Sequence, residues 1–421
     1  MRYLFTTFEG GGHVPPAILM ASALKARGHE ILFVSDEVNR RAVEATGLEF
    51  EPWRTAPNRL AAAQIDDPLQ DWRRIWPPAI VRSVCDAVST GPAARYASDT
   101  LRLISAFAPD LVVSNELLLG CLIACDATGT SAALLTGNLW PYPTRMDQPP
   151  FGPGWAPPTG PSADRAHRHT RAMIRSWFNA GREQLNAVRA DHGLRPLNHT
   201  LDQLDSARLI VLGASRAFDY DARPVAPYVY AGPLVDLPAP AEVLARERLR
   251  VLISFSTTYQ AQTAVMARCM KALAPLPIDV VVTTGPALSP ADLPESPNAK
   301  VVAWADHDQL VPNCDLMICH GGHGTLVRAL RHGVPVLCLP MGRDHPENGR
   351  RLTHLGAGLM ISRHASVHRI RRQAERILLD GAFKQAARKI GIRIIREQPI
   401  ERSNALAALE SVAGAQLAAA A

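Results

Sequence analysis

One short stretch toward the C-terminal end of the sequence constrains the fold more than any other. The apolar run Leu316–Cys319 has the length of a buried strand, and Leu326–Arg331 has the spacing of a helix. Between the two, His320–Thr325 is rich in glycine and turns the chain sharply. A strand, a glycine-rich turn and a helix in this order are typical of a parallel sheet that is covered by helices.

The start of the helix after this turn is a place where an anion can bind. The first backbone N–H groups of a helix have no partner within it, and the helix dipole attracts negative charge. Glycine lets the backbone approach a phosphate closely, and the side chains of His320 and Thr325 can add further hydrogen bonds. We therefore interpret the turn as a cradle for a diphosphate, although the glycines taken alone fit an ordinary tight strand–helix connection equally well.

Strands alternate with helices in two separate parts of the chain. In the first part, the strand Arg2–Phe8, a glycine loop that ends at His13 and the helix Ala17–Ala26 follow one another. In the second part, the strand Arg250–Ser254 opens a similar series, and the stretch Gly232–Pro240 before it is rich in proline and lacks any period. The sequence therefore predicts an α/β protein of two Rossmann-like, doubly wound domains that face each other across a cleft.

The length of 421 residues also favours two domains over one. We expect an N-terminal domain over residues 1–232, a linker over 233–240, a C-terminal domain over 241–398 and a last segment over 399–421. Pro399 should end the basic helix that precedes it. The last segment should then form a separate short helix that returns to the N-terminal domain, with a frayed tail from Ala413 onward.

Composition narrows the class of protein. The net charge of +6 is modest for this length and suits small anionic ligands better than nucleic acid. No segment is long and apolar enough to span a bilayer, and the first strand begins too early to leave room for a signal peptide. The seven cysteines are scattered, without a CxxC pair. These features predict a cytoplasmic protein that contacts neither membrane nor nucleic acid.

The glycine loop of the N-terminal domain carries a lone histidine. Pro15 stands where the third glycine of the dinucleotide-binding pattern GxGxxG would stand, so a nicotinamide cofactor is not favoured. Imidazole titrates near neutral pH, which suits His13 to general-base catalysis on an incoming nucleophile. Taken by itself, His13 could be a loop residue without a role. The diphosphate cradle in the other domain is what favours a group-transfer reaction.

Taken together, these motifs resemble nucleotide-sugar-dependent glycosyltransferases of the GT-B fold, above all bacterial enzymes that glycosylate natural products such as macrolides and enediynes. The resemblance covers nearly the whole chain and is densest from Trp304 to Gly358. The motifs on which it depends include Gly12-His13-Val14-Pro15 after the first strand, Arg27-Gly28-His29 before the second, and the turn His320–Thr325. The resemblance implies that His13 is the general base.

The resemblance also assigns binding roles. Trp304 would stack on the nucleobase, and Asp344 and His345 would hold sugar hydroxyls. The diphosphate would contact a first loop, at Ser254, Ser256 and Thr257, and the cradle, at His320, Gly321, Gly322, His323, Gly324 and Thr325. The histidines of the cradle lie in a turn without the ordered carboxylates that Mg²⁺ needs beside a diphosphate, so we expect no metal or other cofactor.

The sequence departs from the family pattern at the residue that orients the base. Where the family often has an aspartate, the chain has Asn115, followed by Glu116. Asn115 could orient the imidazole by hydrogen bonding but would not stabilise imidazolium by charge. If the strand continues, Glu116 points to the other face, so it reaches His13 only through a local bend. A carboxylate that interacts with the dipole of a helix N-terminus is the structural alternative for Glu116.

Two further departures concern the donor. His345 stands where the family has the glutamine that contacts the sugar, which puts glucose as the donor sugar in question. Arg328 stands where enzymes that use UDP-glucose often have a glutamate on the ribose hydroxyls. A carboxylate there has no purpose if the 2′-hydroxyl is absent, so we expect a dTDP-linked deoxysugar rather than a UDP-sugar. An Arg328 that faces solvent would remove this argument.

From the sequence we therefore expect an inverting, metal-independent glycosyltransferase that moves a sugar to a hydroxyl of a bulky, partly apolar acceptor. The proline-rich stretch Pro141–Pro161 would form a loop over the acceptor. Three alternatives stay open: a lipid-linked sugar transferase, a nucleotide-sugar epimerase of the same fold, and a non-catalytic auxiliary protein that binds a nucleotide sugar. Asn115 keeps the last of these in consideration. A homodimer also stays open.

Overall fold

The computed structural model describes residues 1–61, 67, 69–74, 76–220, 225–236, 245–255, 259–286 and 288–420. Strands and helices alternate along these residues. The strands are β1 Arg2–Thr6, β2 Glu30–Ser35, β3 Glu49–Pro52, β4 Leu111–Asn115, β5 Ala132–Thr136, β6 Leu209–Leu212, β7 Tyr228–Tyr230, β8 Arg250–Ser254, β9 Asp279–Thr283, β10 Ala299–Val302, β11 Leu316–Cys319, β12 Val336–Cys338 and β13 Gly358–Met360. The helices are α1 Val14–Ala26, α2 Arg40–Glu44, α3 Pro77–Val84, α4 Ala93–Phe107, α5 Leu119–Thr128, α6 Pro161–Phe178, α7 Arg182–Asp191, α8 Thr263–Leu273, α9 His307–Leu310, α10 His323–Arg331, α11 His345–His354, α12 Val367–Leu379 and α13 Gly381–Ala420.

The strands form two separate sheets, and every described strand pair is parallel. One sheet has the order β3-β2-β1-β4-β5-β6-β7, and the other has the order β10-β9-β8-β11-β12-β13. In each sheet the strand order reverses beside the first strand, between β1 and β4 and between β8 and β11. Loops at the carboxyl ends of the strands around such a point open a crevice for ligands. The predicted pair of doubly wound domains is confirmed.

The central strands are buried on both faces, as parallel sheets covered by helices require. Every residue of β4, β5, β6 and β11 is buried. Some strands carry a buried polar residue at their carboxyl end, for example Asn115 in β4 and Ser254 in β8. Those strand ends are where the candidate site begins.

The last helix crosses from one domain to the other. α13 continues through Pro399 to Ala420, so the prediction that Pro399 ends the helix is wrong, and the part of the predicted frayed tail that the structure describes, 413–420, is helical. A proline in a helix interior costs about 3 kcal/mol. Burial on both sides of Pro399 outweighs this cost. Residues before it pack in the C-terminal core, and residues after it pack in the N-terminal core: Ala387, Ile390 and Ile394, then Ala405, Leu406, Leu409 and Ala413.

The first residue of the predicted linker is hydrogen-bonded to α13. The carbonyl oxygen of Pro233 accepts hydrogen bonds from Gln398 Nε2 at 3.0 Å and from Arg402 Nη2 at 2.9 Å. Residues 233–236 of the linker are described, whereas 237–240 lie outside the described residues.

Within the described part of the chain, none of the helices combines the length and apolarity that a bilayer crossing requires.

Side chains of α11 connect the two domains. Arg351 is buried, and its Nε donates a hydrogen bond to Asp219 Oδ1 at 2.7 Å. Glu347 Oε1 accepts hydrogen bonds from the backbone N–H groups of Gly152 and Gly154 at 2.9 and 2.8 Å. The proline-rich segment between β5 and α6 is therefore anchored to the opposite domain by backbone hydrogen bonds.

Candidate active site between the two domains

His13 lies at the start of α1, directly beyond β1 and its glycine loop. Its ring packs on Phe8 with the ring centroids 5.0 Å apart. The side chain keeps 24% of its surface exposed, so a substrate can reach it. Burial of the ring, together with the positive charge of Arg343, lowers the pKa of His13 to about 4. The imidazole is therefore neutral at pH 7, as a general base must be.

Both residues that the sequence suggests as partners of His13 lie beside it. Asn115 Nδ2 is 3.0 Å from His13 Nδ1, and Glu116 Oε1 is 3.9 Å from the same nitrogen. Asn115 Nδ2 also donates a hydrogen bond to Glu116 Oε2 at 2.8 Å. β4 ends at Asn115, so Glu116 does not point to the opposite face as it would in a continued strand. Burial raises the pKa of Glu116 to about 8.

The glycine-rich turn connects β11 to α10, and two of its glycines lie close to neighbouring side chains. Gly321 has a φ of +95°, and a Cβ there would be 2.6 Å from Cys338 Sγ. At Gly322 a Cβ would be 2.4 Å from His320 Nε2. No larger residue fits either position without movement of its neighbours. The first N–H groups of α10, from His323 onward, have no partner within the helix and are available to an anion.

The histidines of the cradle are uncharged at pH 7. Burial lowers the pKa values of His320 and His323 to about 4 and that of His345 well below its usual range. The rings of His320 and His345 are 4.5 Å apart and nearly perpendicular. The ring of His323 packs instead on Phe218, with centroids 5.6 Å apart, so His323 offers the cradle its backbone rather than its imidazole. His320 can donate a hydrogen bond to phosphate but adds no full positive charge.

Asp344 precedes α11 and lies where the two domains meet. Its Oδ2 accepts hydrogen bonds from Asn348 Nδ2 at 2.6 Å and from Asn138 Nδ2 at 2.7 Å. Asn138 belongs to the N-terminal domain and was not identified from the sequence. The neighbouring Gly137 lies so close to the glycine loop that a Cβ there would be 2.8 Å from the carbonyl oxygen of Gly12. The segment of Gly137 and Asn138 thus lies against the loop of His13 and is also hydrogen-bonded to Asp344, the predicted sugar-binding carboxylate.

Arg343 is a second functional candidate that was not identified from the sequence. Its φ of +55° is unusual for a residue other than glycine, and strain of this kind is often found at functional sites. Its positive charge contributes to the lowered pKa values of His13, His320 and His345, so the guanidinium lies near both halves of the site. Its Nη2 is also 3.5 Å from Asp67 Oδ2 of the N-terminal domain.

The described residues that are predicted to bind the nucleotide lie at or just beyond the carboxyl ends of strands in the C-terminal domain. Trp304 follows β10, and 75% of its surface is exposed, which allows a base to stack on it. Ser254 Oγ accepts a hydrogen bond from Thr283 Oγ1 at 2.8 Å and lies 3.5 Å from His307 Nε2, a residue that was not identified from the sequence. Two predicted diphosphate ligands lie outside the described residues: Ser256 and Thr257.

Arg328 is held by an ion pair rather than facing solvent. Its Nε donates a hydrogen bond to Asp308 Oδ1 at 2.7 Å, and its Nη2 donates to the carbonyl oxygen of Asp236 at 3.1 Å. Its side chain is 23% exposed. The position where enzymes that use UDP-glucose often have a glutamate is therefore occupied by a paired guanidinium.

A cavity of about 500 Å³ opens in the N-terminal domain beside the loop of His13. Phe8, which packs on the imidazole, lines it together with Leu60, Val88 and Tyr96. The volume falls within the range of small-molecule binding pockets. Among the described residues, no three His, Cys, Asp or Glu side chains come together as a metal site.

Comparisons with known proteins find relatives along nearly the whole chain. Residues 267–409 match the family model of the erythromycin biosynthesis protein CIII-like, C-terminal domain. The chain is 26% identical over 407 residues to 4′-demethylrebeccamycin synthase from Lentzea aerocolonigenes, with 90% of this chain and 92% of that protein covered. It is also 26% identical over 435 residues to O-mycaminosyltylonolide 6-deoxyallosyltransferase from Streptomyces fradiae, with 96% of each covered. The solved structure of the glycosyltransferase VinC in complex with dTDP matches with a TM-score of 0.67 and 22% identity, over 98% of this chain and 100% of that one.

These similarities extend over both domains and not only over the cradle. The likeness to VinC establishes the fold. The match to the 6-deoxyallosyltransferase runs along almost the whole length of both chains. The chain is a glycosyltransferase of the GT-B fold that resembles the bacterial natural-product glycosyltransferases.

Proposed function

We propose that the chain transfers a sugar, with inversion of configuration, from a nucleotide-sugar donor to a hydroxyl group of a bulky, partly apolar natural product. The observation that carries this proposal is the 2.7 Å hydrogen bond between Asn138 and Asp344. It connects the segment that lies against the loop of His13 in one domain to Asp344, the predicted sugar-binding residue in the other. A base and a leaving-group site on opposite sides of one crevice are what a single displacement needs.

In the proposed reaction, His13 takes the proton of the acceptor hydroxyl while the oxygen attacks the anomeric carbon. The bond between that carbon and the diphosphate oxygen breaks on the opposite face. One C–O bond forms as the other breaks, so the configuration inverts through an oxocarbenium-like transition state. Contacts between the domains keep water away from the anomeric carbon, because water there would hydrolyse the donor.

The leaving diphosphate would be stabilised by groups of the C-terminal domain. The first backbone N–H groups of α10 and the positive end of its dipole attract negative charge, and neutral His320 can donate a further hydrogen bond. Arg343 brings the full positive charge that His320 lacks. We propose that these groups take the place of a metal ion and that transfer is metal-independent.

We propose a dTDP-linked deoxysugar as the donor. The pairing of Arg328 with Asp308 supports this, because position 328 supplies no carboxylate for a ribose 2′-hydroxyl. The Streptomyces fradiae relative is named a 6-deoxyallosyltransferase, and VinC was solved with dTDP. His345 Nδ1 accepts a hydrogen bond from the N–H of Met341 at 3.3 Å, which leaves Nε2–H as a donor to the sugar. A UDP-sugar is the competing donor.

The acceptor would bind in the cavity beside Phe8. Its aromatic and aliphatic lining suits a large molecule with an apolar body. Carboxylates at its wall, from Glu9 and Asp36, would favour hydroxyl or amino substituents on that molecule.

The experiment is transfer by the purified chain with dTDP-deoxysugars and UDP-glucose as donors, for wild type, His13→Ala and His169→Ala. His169 is exposed on α6 and serves as the matched control. We expect activity with dTDP-deoxysugars, an unchanged control, and a loss of about 10²–10⁴-fold in His13→Ala, the usual contribution of a general base. His13→Ala with more than about a tenth of wild-type turnover would refute the base assignment. UDP-glucose as the best donor would refute the donor, and no product from any donor would favour the auxiliary binding protein.

A further inference from the structure

The hydrogen bonds of Asn115 fix the orientation of its amide. Asn115 Oδ1 accepts a hydrogen bond from the backbone N–H of Leu117 at 3.0 Å, and Nδ2 donates to Glu116 Oε2 at 2.8 Å. A backbone N–H can only donate, so exchanging the oxygen and the nitrogen would place two donors against each other. The amide nitrogen is therefore the atom that faces His13 Nδ1, at 3.0 Å.

This orientation decides which ring nitrogen of His13 carries the proton. Asn115 Nδ2 donates, so His13 Nδ1 accepts, and the single proton of the neutral imidazole is on Nε2. Nδ1 is covered by the amide, and Nε2 is already protonated. In this arrangement neither nitrogen can take a proton from an acceptor hydroxyl.

Glu116 is the group that can supply the other tautomer. Its Oε1 is 3.9 Å from His13 Nδ1, and its side chain is only 4% exposed. A carboxylate oxygen that moves about 1 Å closer would accept a hydrogen bond from Nδ1–H, at the usual charge-assisted distance. The proton would then be on Nδ1 and Nε2 would be free.

In the described part of the chain, Glu116 does not cap the helix that follows it. α5 begins at Leu119, and no side chain caps its N-terminus. The side chain of Glu116 accepts a hydrogen bond from Asn115 Nδ2, and its carboxylate lies 3.9 Å from His13 Nδ1. The geometry therefore favours the imidazole over the helix dipole as the partner of this carboxylate.

We propose that His13 becomes the base only when Glu116 replaces Asn115 as the partner of His13 Nδ1, so that Asn115 holds the resting tautomer and Glu116 holds the reactive one. The inference rests on the proposed role of His13. Asn115 and Glu116 are positioning residues in this scheme, because they act through the imidazole.

In the resting pair, Glu116 is a carboxylic acid and His13 carries its proton on Nε2. The reactive pair has one proton fewer: Nε2 releases its proton to solvent, and the acid proton of Glu116 passes to Nδ1. During transfer the acceptor proton goes to Nε2, and the imidazolium is stabilised by the Glu116 carboxylate. That proton then leaves to solvent, which regenerates the reactive pair.

The charged and titratable groups around the pair are compatible with this exchange. Burial raises the pKa of Glu116 to about 8, so the carboxylate forms above that pH. Tyr142, from the proline-rich segment, donates its hydroxyl to the Glu116 carbonyl oxygen at 3.0 Å, and burial raises its pKa so that it stays neutral. Burial and, after it, the charge of Arg343 from the opposite domain lower the pKa of His13, which disfavours a premature imidazolium.

The test follows the His13 tautomer by ¹⁵N NMR and compares Glu116→Gln with the exchanged pair Asn115→Asp/Glu116→Gln. In wild type we expect the His13 proton on Nε2 at pH 6.5 and on Nδ1 at pH 9. We expect kcat to rise with pH through about 8, the pKa of Glu116. Glu116→Gln should lower kcat by about 10²-fold, with KM for the donor changed little, and should remove this rise. The exchanged pair should recover at least tenfold of the lost kcat, because its new carboxylate lies at hydrogen-bond distance from Nδ1.

Three results would overturn the inference: Nδ1–H in wild type at pH 6.5, a Glu116→Gln variant with more than a third of wild-type kcat, or an exchanged pair no faster than Glu116→Gln. Should Glu116→Gln not fold, the wild-type tautomer and pH profile still decide the question. The proposed function fails separately, through an active His13→Ala variant. An inactive His13→Ala beside a fully active Glu116→Gln would leave the base assigned and remove only this inference.

Discussion

Replacing Gly321 by alanine tests whether the cradle depends on its backbone geometry. At a φ of +95°, the new Cβ would be 2.6 Å from Cys338 Sγ and 3.2 Å from the carbonyl oxygen of His345. The left-handed conformation costs an L-residue about 1–2 kcal/mol. Crowding of a packed core costs about 1–3 kcal/mol more. The variant therefore carries about 2–5 kcal/mol of strain if the turn keeps its position.

The free protein relieves much of this strain by moving the turn away from Cys338, by about 1 Å to reach ordinary contact distance. Binding of a diphosphate needs the original position, so the strain returns at the binding step. Each 1.4 kcal/mol lowers affinity tenfold. We expect the Kd for dTDP to rise by about tenfold or more in Gly321→Ala, measured by calorimetry.

Two further variants separate the causes. Gly321→Ala/Cys338→Ala removes the sulfur that the new Cβ meets, so it should recover part of the dTDP affinity while the cost of the backbone conformation remains. Gly356→Ala is the matched control, because its φ of +69° is also left-handed but its nearest neighbour, Ala386 Cβ, is 3.7 Å away. It should lose stability by about 1–2 kcal/mol without a change in dTDP affinity. The reasoning is refuted if Gly321→Ala binds dTDP within about threefold of wild type.

Two predictions concern stability. Arg351→Met should lower the free energy of unfolding by about 3–5 kcal/mol in urea titrations, because it leaves the buried Asp219 carboxylate without its 2.7 Å partner; a loss below about 1 kcal/mol would contradict this. Burial alone raises the pKa of Asp219, but Arg351 and Tyr230 hold it below its usual range. The pKa values of His13, His320 and His323 are about 4 in the folded chain, against a usual value of 6.5. The unfolded chain therefore binds more protons between those pH values, and the free energy of unfolding should fall as the pH is lowered from 6.5 to 4. In His323→Gln the free energy of unfolding should fall less between pH 6.5 and 4, and an unchanged pH dependence would contradict this prediction.

The predictable parts of the site are those whose residues are close in sequence. The turn His320–Thr325 carries its own signal, since glycines between a strand and a helix prescribe both the backbone and the anion site. His13 carries a similar signal in its glycine loop. The fold follows from repeated alternation, because each strand–helix unit adds to the same parallel sheet.

The parts that could not be predicted depend on contacts between distant residues. Asn138 and Asp344 meet only because two domains approach each other, although a polar residue just beyond a buried strand was an available signal for Asn138. Arg328 pairs with Asp308 from a different helix, which no local pattern indicates. The continuation of α13 through Pro399 depends on burial in both domains, and intrinsic propensity opposes it. The reach of Glu116 toward His13 depends on where β4 ends.

The route of α13 has a consequence for how the protein is made. Leu406 and Leu409 lie in the same core as Tyr3 and Met20, so the N-terminal domain is built from both ends of the sequence. A ribosome releases β1 long before it has made the helix that covers that side of the sheet. The core there stays open to water while the entire C-terminal domain is synthesised. During synthesis the C-terminal domain is therefore completed before the N-terminal domain, although it comes second in the sequence.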